Sequence, residues 1–372
     1  MHLPTQSLLI LALALFGVAH PGEDEAPISE AKKLEKRAYH SNVIESYSGC
    51  AKKLAESGVL ERADLRRRST VERHRQDLVA RRQQQVLGPR PGVSETPDSE
   101  HSLQLPEQWR KSHLVTDPNI GLETPENELF ADNGTCVLNP EGTIGPFYVT
   151  GEFVRSNITD GQTGVPMIID AQFIDVETCE PVEGVWWDVW SCNATGVYSG
   201  VLGFENGNQD DKSIVNATFL RGIQQTDSEG VAQFQTIFPG HYNHRATHMH
   251  VVAHVGNVTQ LPNNTITGGT VAHIGQLFWD QDLVYEVEET YPYNTNTMPI
   301  TPNAHDRLFF DEIDGTTSDP TFNFVKLGDN IEDGIFAWVS MAVNVSASFN
   351  PSYSWRLTDH GDIPESGGDS PI

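Results

Sequence analysis

The chain reads as mainly β: an antiparallel β-sandwich domain preceded by a helical segment. Two observations carry that expectation. From Gly142 onward, short runs rich in Val, Ile, Phe and Trp alternate with turn residues, and no amphipathic helix of ordinary length separates them, which excludes a parallel α/β sheet. Between Val43 and Leu54, by contrast, Val43, Ile44, Tyr47, Cys50, Ala51 and Leu54 recur at three and four, the spacing of a helix face.

In chain order, residues 1–19 resemble a secretory leader, because Leu8 to Val18 is apolar but too short for the roughly 20 residues that span a bilayer. Residues 20–37 end in Lys36-Arg37, which reads equally as a dibasic processing site closing a propeptide or as an exposed charged run. The helical segment is placed at 38–92, with Asn42 as a cap, Gly58 as a stop, and an Arg- and Gln-rich run from Arg62 to Leu87. That run has few apolar residues, so it needs a partner surface or frays. Gly88-Pro89-Arg90-Pro91-Gly92 breaks it, and 93–132 is a polar linker. The sandwich is placed at 133–350, with strands expected at Val165 to Val176, Val185 to Trp190, Gly230 to Phe238, His248 to Val255 and Thr270 to Trp279. A tail, 351–372, follows.

Charge narrows the partners. The 372 residues carry a formal charge of −27, and after Ser112 only seven Lys and Arg face 36 Asp and Glu. Nucleic acid and anionic membranes are therefore not expected, since both need clustered cations. The segment from Ala38 to Arg90 has the opposite balance, 11 basic residues to 6 acidic. Seven sequons, at Asn133, Asn157, Asn193, Asn216, Asn257, Asn263 and Asn344, add to the expectation of a soluble, secreted glycoprotein. Four cysteines permit two disulfides there. A straight strand between Cys179 and Cys192 would hold them about 20 Å apart, so Cys50 or Cys136 is expected to supply the partners.

The chemistry concentrates between Thr195 and Val252. His248 and His250 are spaced i, i+2, which on a strand points both imidazoles from one face; His254 would share that face about 13 Å further on, too far for the same ion. Alone this is a weak signal, and half-exposed strand histidines are the ordinary reading. Tyr198 and Tyr242 lie in turn-rich segments, Asn193 to Gly200 and Phe238 to Tyr242, where packing does not obviously require them.

Taken together, Gly145-Pro146-Phe147-Tyr148, Cys179-Glu180-Pro181-Val182, Asp188-Val189-Trp190, Gly196-Val197-Tyr198-Ser199, Phe238-Pro239-Gly240-His241-Tyr242 and Arg245-Ala246-Thr247-His248-Met249-His250 resemble, in order and spacing, the intradiol ring-cleavage dioxygenases, secreted fungal members above all. The resemblance implies a mononuclear non-haem Fe(III) on Tyr198, Tyr242, His248 and His250. It also implies a substrate of catechol type, opened with O2 between its hydroxyl-bearing carbons to a muconate-type diacid. Tyr242 would leave the metal when substrate binds, and Arg245 would stabilise negative charge beside the ring, with a buried structural ion pair as the competing reading. Gln276 resembles the family's glutamine near the metal, although an insertion carrying Asn257 and Asn263 separates it from His250. Ser191 stands where relatives often carry His or Gln, and Tyr148, in a segment that resembles one near the family's active site but equally readable as a packing residue, is not counted as a ligand. The donor set is chemically sensible, because anionic phenolates favour the hard Fe(III) ion.

Two other readings are kept. A cupin-like site would also use His-x-His, but Glu286 and His305 lack its spacing; a non-catalytic secreted sandwich would bind a surface or partner. The N-terminal helices are expected either to join two copies in a homodimer or to dock on the chain's own sandwich.

Overall fold

The computed structural model describes residues 30–84, 112–115, 135–136, 144–202, 206–207, 212–313, 319–349, 355–356 and 363–364. The expected leader, residues 20–29 of the expected propeptide, most of the linker, the Asn133 sequon and most of the tail lie outside the described residues.

Helices α1 (Glu30–Ser48), α2 (Cys50–Glu56) and α3 (Val59–Gln84) come first. Lys36-Arg37 lies inside α1, and the helical layer begins before the expected Ala38. Asn42 is not a cap but an exposed interior residue of α1. The reason is visible in the packing: Tyr39, Val43 and Tyr47, four residues apart, meet Val176 and Ala342, so the apolar stripe extends upstream of Asn42.

Twelve strands follow among the described residues. One sheet holds β1 (Thr135–Cys136), β10 (Ile335–Val343), β3 (Pro166–Asp175) and β6 (Val231–Ile237) in that order, with β9 (Asn323–Lys326) also on β10. A second runs β5 (Arg221–Gln225), β4 (Trp186–Trp190), β7 (His248–Gln260), β8 (Ile266–Phe278). The short β2 (Val149–Thr150), β11 (Trp355–Arg356) and β12 (Ile363–Pro364) form a third. The second sheet is antiparallel throughout, as expected. The first is mixed, because β10 runs parallel to both β3 and β1. A parallel pair needs a long crossover, and here the chain from β4 to β9 supplies it.

The period of two explains the layers. Met167, Ile169, Ala171 and Phe173 of β3 meet Trp187 and Val189 of β4 and Met249, Val251 and Ala253 of β7 in the core between the sheets. The alternate residues of β3 and β10 point the other way, against the helices. There Val71 of α3 packs with Ile168, Phe336 and Trp338, and Cys50, Leu54 and Val59 with Ile174. Arg67 of α3, itself buried, reaches the fully buried Asp170, which also accepts from Arg66 and Gln233. The Arg-rich run thus packs on the chain's own sheet.

A disulfide joins Cys50 to Cys179 across 129 residues and ties that helical layer to the turn after β3. A second bridge through Cys192 is not made. Cys192 is a buried free thiol that donates to the Gly240 carbonyl at 3.3 Å, and burial pushes its ionisation up.

Candidate metal centre and active site

The alternate residues of the second sheet, Asp188 and Trp190 of β4 and His248, His250 and His254 of β7, face away from the core and form the floor of the site. Two turns bring the tyrosines over it. In the first, Asn193 Oδ1 accepts from the Thr195 and Val197 amides, and Asn206 holds the Tyr198 backbone from both sides. In the second, Phe238 to Tyr242 follows β6. The two turns touch: a Cβ on Gly196, whose φ is +81°, would collide with the His241 carbonyl, so only glycine lets the tyrosine turns approach this closely.

Four atoms converge. His248 Nε2 lies 3.1 Å from Tyr242 Oη, 3.4 Å from Tyr198 Oη and 3.1 Å from His250 Nε2. All four side chains are buried. His248 Nδ1 donates to the Ala246 carbonyl at 2.6 Å, which leaves Nε2 as a lone pair aimed into the cluster. One lone pair cannot serve three neighbours. A cation among the four atoms would give every donor a partner, so the residues fit a metal ion, and two phenols with two imidazoles suit a hard, highly charged one. Among the described residues no group of three or more His, Cys, Asp or Glu is placed to hold a metal, which leaves this phenol-containing set as the candidate.

The electrostatics agree with a site awaiting positive charge. Burial, then the neighbouring Tyr242, pushes the Tyr198 phenol well above its usual range; burial raises Tyr242 to about 12 against the pull of Arg245. Burial, then nearby positive charge, drives His248 and His250 well below the ordinary imidazole range. Neutral imidazoles are the state that coordinates, and a bound cation ionises phenols that burial alone keeps protonated.

Arg245 sits beside this cluster. Its Nη1 donates to Tyr242 Oη at 3.3 Å, its Nη2 to Gln276 Oε1, and its Nε to Asp306 at 3.0 Å. Both readings of Arg245 therefore meet in one side chain: it is in a buried ion pair and it touches a metal-donor candidate. Gln276 stands directly opposite His250 in the β7 to β8 pairing. The insertion that separated them lengthens the far end of this hairpin, where register shifts at Ala253/His254 and Val255/Val258 absorb it, and the end at the site is in step.

The remaining candidates resolve individually. His254 is not in the cluster; it approaches Asp188 at 3.4 Å, and the Tyr148 hydroxyl donates to the same carboxylate at 3.4 Å while its ring packs against Trp190. Ser191 is buried, and Glu286 is taken up by Lys326. Sequence reasoning missed Asp306, Asn206, Trp190 and Arg221. Trp190 lies flat on His250, and Arg221 binds the Ser199 and Phe147 carbonyls and Glu152 beneath the Tyr198 ring. The excess of acids gave one usable hint, since in a domain so poor in Arg each buried guanidinium needs a carboxylate.

Residues 145–283 match the family model Dioxygenase_C, described as Dioxygenase. A 147-residue stretch is 26% identical to the catechol 1,2-dioxygenase of Candida albicans, covering 37% of this chain and 44% of that protein. Over this stretch the chain is similar to the intradiol ring-cleavage dioxygenases. It spans less than half the length of that curated relative. Among solved structures, the chain is similar to an intradiol ring-cleavage dioxygenase from Tetranychus urticae, at 29% identity over 58% of this chain and 98% of the other, TM-score 0.47. A catechol 1,2-dioxygenase from Pseudomonas arvilla C-1 is also similar, at 18% identity over 57% and 64%, TM-score 0.37.

Proposed function

We propose that this protein is a dioxygenase that opens catechol-type rings between the two hydroxyl-bearing carbons, placing both atoms of O2 in a muconate-type diacid, on an Fe(III) held by Tyr198, Tyr242, His248 and His250. The observation that carries the reading is the meeting of two phenol oxygens and two imidazole nitrogens at one buried point. A bound Fe(III) supplies the charge that ionises both phenols and the redox centre that makes a chelated catechol reactive toward O2.

The side chains divide the remaining work. Tyr198, stacked under Phe147 with ring centroids 4.7 Å apart and held through its backbone by Asn206, would be the fixed phenol donor. Tyr242 would be the second phenol donor. Arg245 Nη1 donates to its oxygen, so negative charge at Oη would be stabilised there, and that oxygen would take one catechol proton. The guanidinium, aimed by Asp306 and Gln276, then faces negative charge that develops as the ring is attacked. Ile144, Phe147, Val201 and Ile274 close the surroundings with apolar surface, which excludes water from the oxygens.

Independently of the chemistry, the proposed compartment is outside the cell. A disulfide across 129 residues suits an oxidising compartment, and the Asn157, Asn216, Asn257 and Asn263 sequons are exposed. An oxygen electrode tests the activity: addition of catechol or hydroxyquinol consumes one O2 per ring opened, with a muconate-type product. Failure of every catechol tested, on iron-loaded protein, removes the reading. N-terminal sequencing and glycan analysis of secreted material test the compartment.

A further inference from the structure

The two histidines of the cluster are held by different physics. His248 is oriented by a hydrogen bond, Nδ1 to the Ala246 carbonyl at 2.6 Å. His250 has no such tether: its Nδ1 is buried and meets no hydrogen-bond partner among the described residues. Its ring is nevertheless closely bounded. Trp190, directly opposite in the β4 to β7 register, lies parallel to it, with an interplanar angle of 2° and centroids 4.7 Å apart. Gly145 also lies against the imidazole, where a Cβ would stand 2.9 Å from His250 Cε1 and 3.5 Å from Nε2, at a backbone φ of +81° that disfavours any other residue.

The turn that carries Gly145 reaches the rest of the site as well. Phe147 stacks on Tyr198, Tyr148 packs on Trp190 with centroids 4.8 Å apart, and Arg221 Nη2 holds the Phe147 carbonyl at 2.7 Å. Trp190 is thereby fixed by Tyr148 while it fixes His250. A metal-binding histidine ordinarily gives its second N–H to a polar partner, which sets the ring angle and raises the donor strength of the bound nitrogen. His250 receives neither service from hydrogen bonding.

Resting on the iron reading above, we propose that Gly145 and Trp190 are positioning residues that form a packing slot for His250, and that this donor's grip on the metal depends on the fit of the slot rather than on a hydrogen bond. His250 is then the weaker of the two imidazole donors, and the site is more sensitive to shape at Gly145 and Trp190 than to any polar change around His250.

The test is Fe(III) affinity, measured by chelator competition and followed by tyrosinate absorption, on wild type, Trp190→Leu, Trp190→Phe, Gly145→Ala and His250→Ala, with circular dichroism to confirm folding. Trp190→Leu and Gly145→Ala are expected to weaken iron binding about tenfold or more, the usual effect of losing a group that orients a ligand. Trp190→Phe, which keeps a flat ring, should recover most of the loss. In a His250→Ala background, Trp190→Leu should add little further, because a residue acting through His250 has nothing left to act on. Equal losses with and without His250, or unchanged affinity in folded Trp190→Leu, overturn the proposal. Where Trp190→Leu does not fold, Gly145→Ala and its double variant with His250→Ala carry the same comparison. Wild type that holds no Fe(III) removes the iron reading and this proposal together, whereas iron-binding wild type with indifferent variants removes this proposal alone.

Discussion

Arg245 and Asp306 form a buried ion pair, Nε to Oδ2 at 3.0 Å, and that pair turns the other edge of the guanidinium toward Tyr242. Asp306 Oδ2 also accepts the Ala246 amide at 2.8 Å, so one carboxylate fixes both the Arg245 side chain and the backbone that leads into His248. Arg245→Ala is expected to retain iron and colour but lose turnover by about 10²- to 10³-fold, the scale of removing a group aimed at developing charge. Asp306→Asn should lower kcat in the same direction by less. Steady-state kinetics with metal analysis checks both; loss of the metal in Arg245→Ala would move this side chain from catalysis to structure.

Asp170 is fully buried and accepts from Arg66, Arg67 and Gln233 where α3 crosses the first sheet. Asp170→Ala leaves the buried Arg67 guanidinium without its counter-ion. The expected loss is about 3 kcal/mol or more in denaturant unfolding, since removing one partner of a buried pair strands the other charge. Arg62→Ala, by contrast, breaks an exposed bond to Glu229 and should change stability by about 1 kcal/mol or less.

Cys50 and Cys179 close a long loop between the helical layer and the sandwich. Cys50→Ser should cost about 2–5 kcal/mol through the larger freedom of the unfolded chain. Limited proteolysis supplies a second readout: cleavage between α1 and α3 should rise in the variant, while the sandwich stays intact. An unchanged midpoint and unchanged cleavage would deny the bridge its tethering role.

His113 lies between Asp280 and Asp319, with Nδ1 at 2.5 Å from the first and Nε2 at 2.9 Å from the second. Burial lowers its pKa, but the hydrogen bonds and charges of the two carboxylates outweigh burial and raise it from 6.5 to about 9. A pKa raised in the folded state contributes stability that is fully present below about pH 6.5 and is lost as pH rises through about 9. The difference in melting temperature between wild type and His113→Gln should therefore shrink between pH 6.5 and 10. A difference that grows with pH over that range would show that the imidazole is buried neutral.

Strand content was legible in the chain because it depends on local pattern, whereas the four metal-donor candidates came from the resemblance to the intradiol dioxygenases, with the His-x-His spacing alone a weak signal. Alternation placed β3, β4, β6, β7 and β8 within a few residues of their observed bounds, and i, i+2 spacing put His248 and His250 on one face. What was not legible depends on contacts far apart in sequence. The parallel pairing of β3 with β10, the start of α1 ahead of Asn42, the ion pair from Arg245 to Asp306 and the stacking of Trp190 on His250 are each made by folding alone. Gln276 shows the boundary between the two. Counting along the chain left it in doubt, whereas hairpin register returns it opposite His250 whatever the length of the intervening loop.

The most direct measurement is the visible spectrum and metal content of the purified protein beside Tyr198→Phe and His248→Ala. One Fe(III) per chain with tyrosinate-to-iron absorption in wild type, and loss of the metal or of activity in both variants, is the predicted result, since a four-donor site has no spare ligand. A colourless wild-type protein carrying zinc or no metal, or full iron content with normal turnover in His248→Ala, would contradict it.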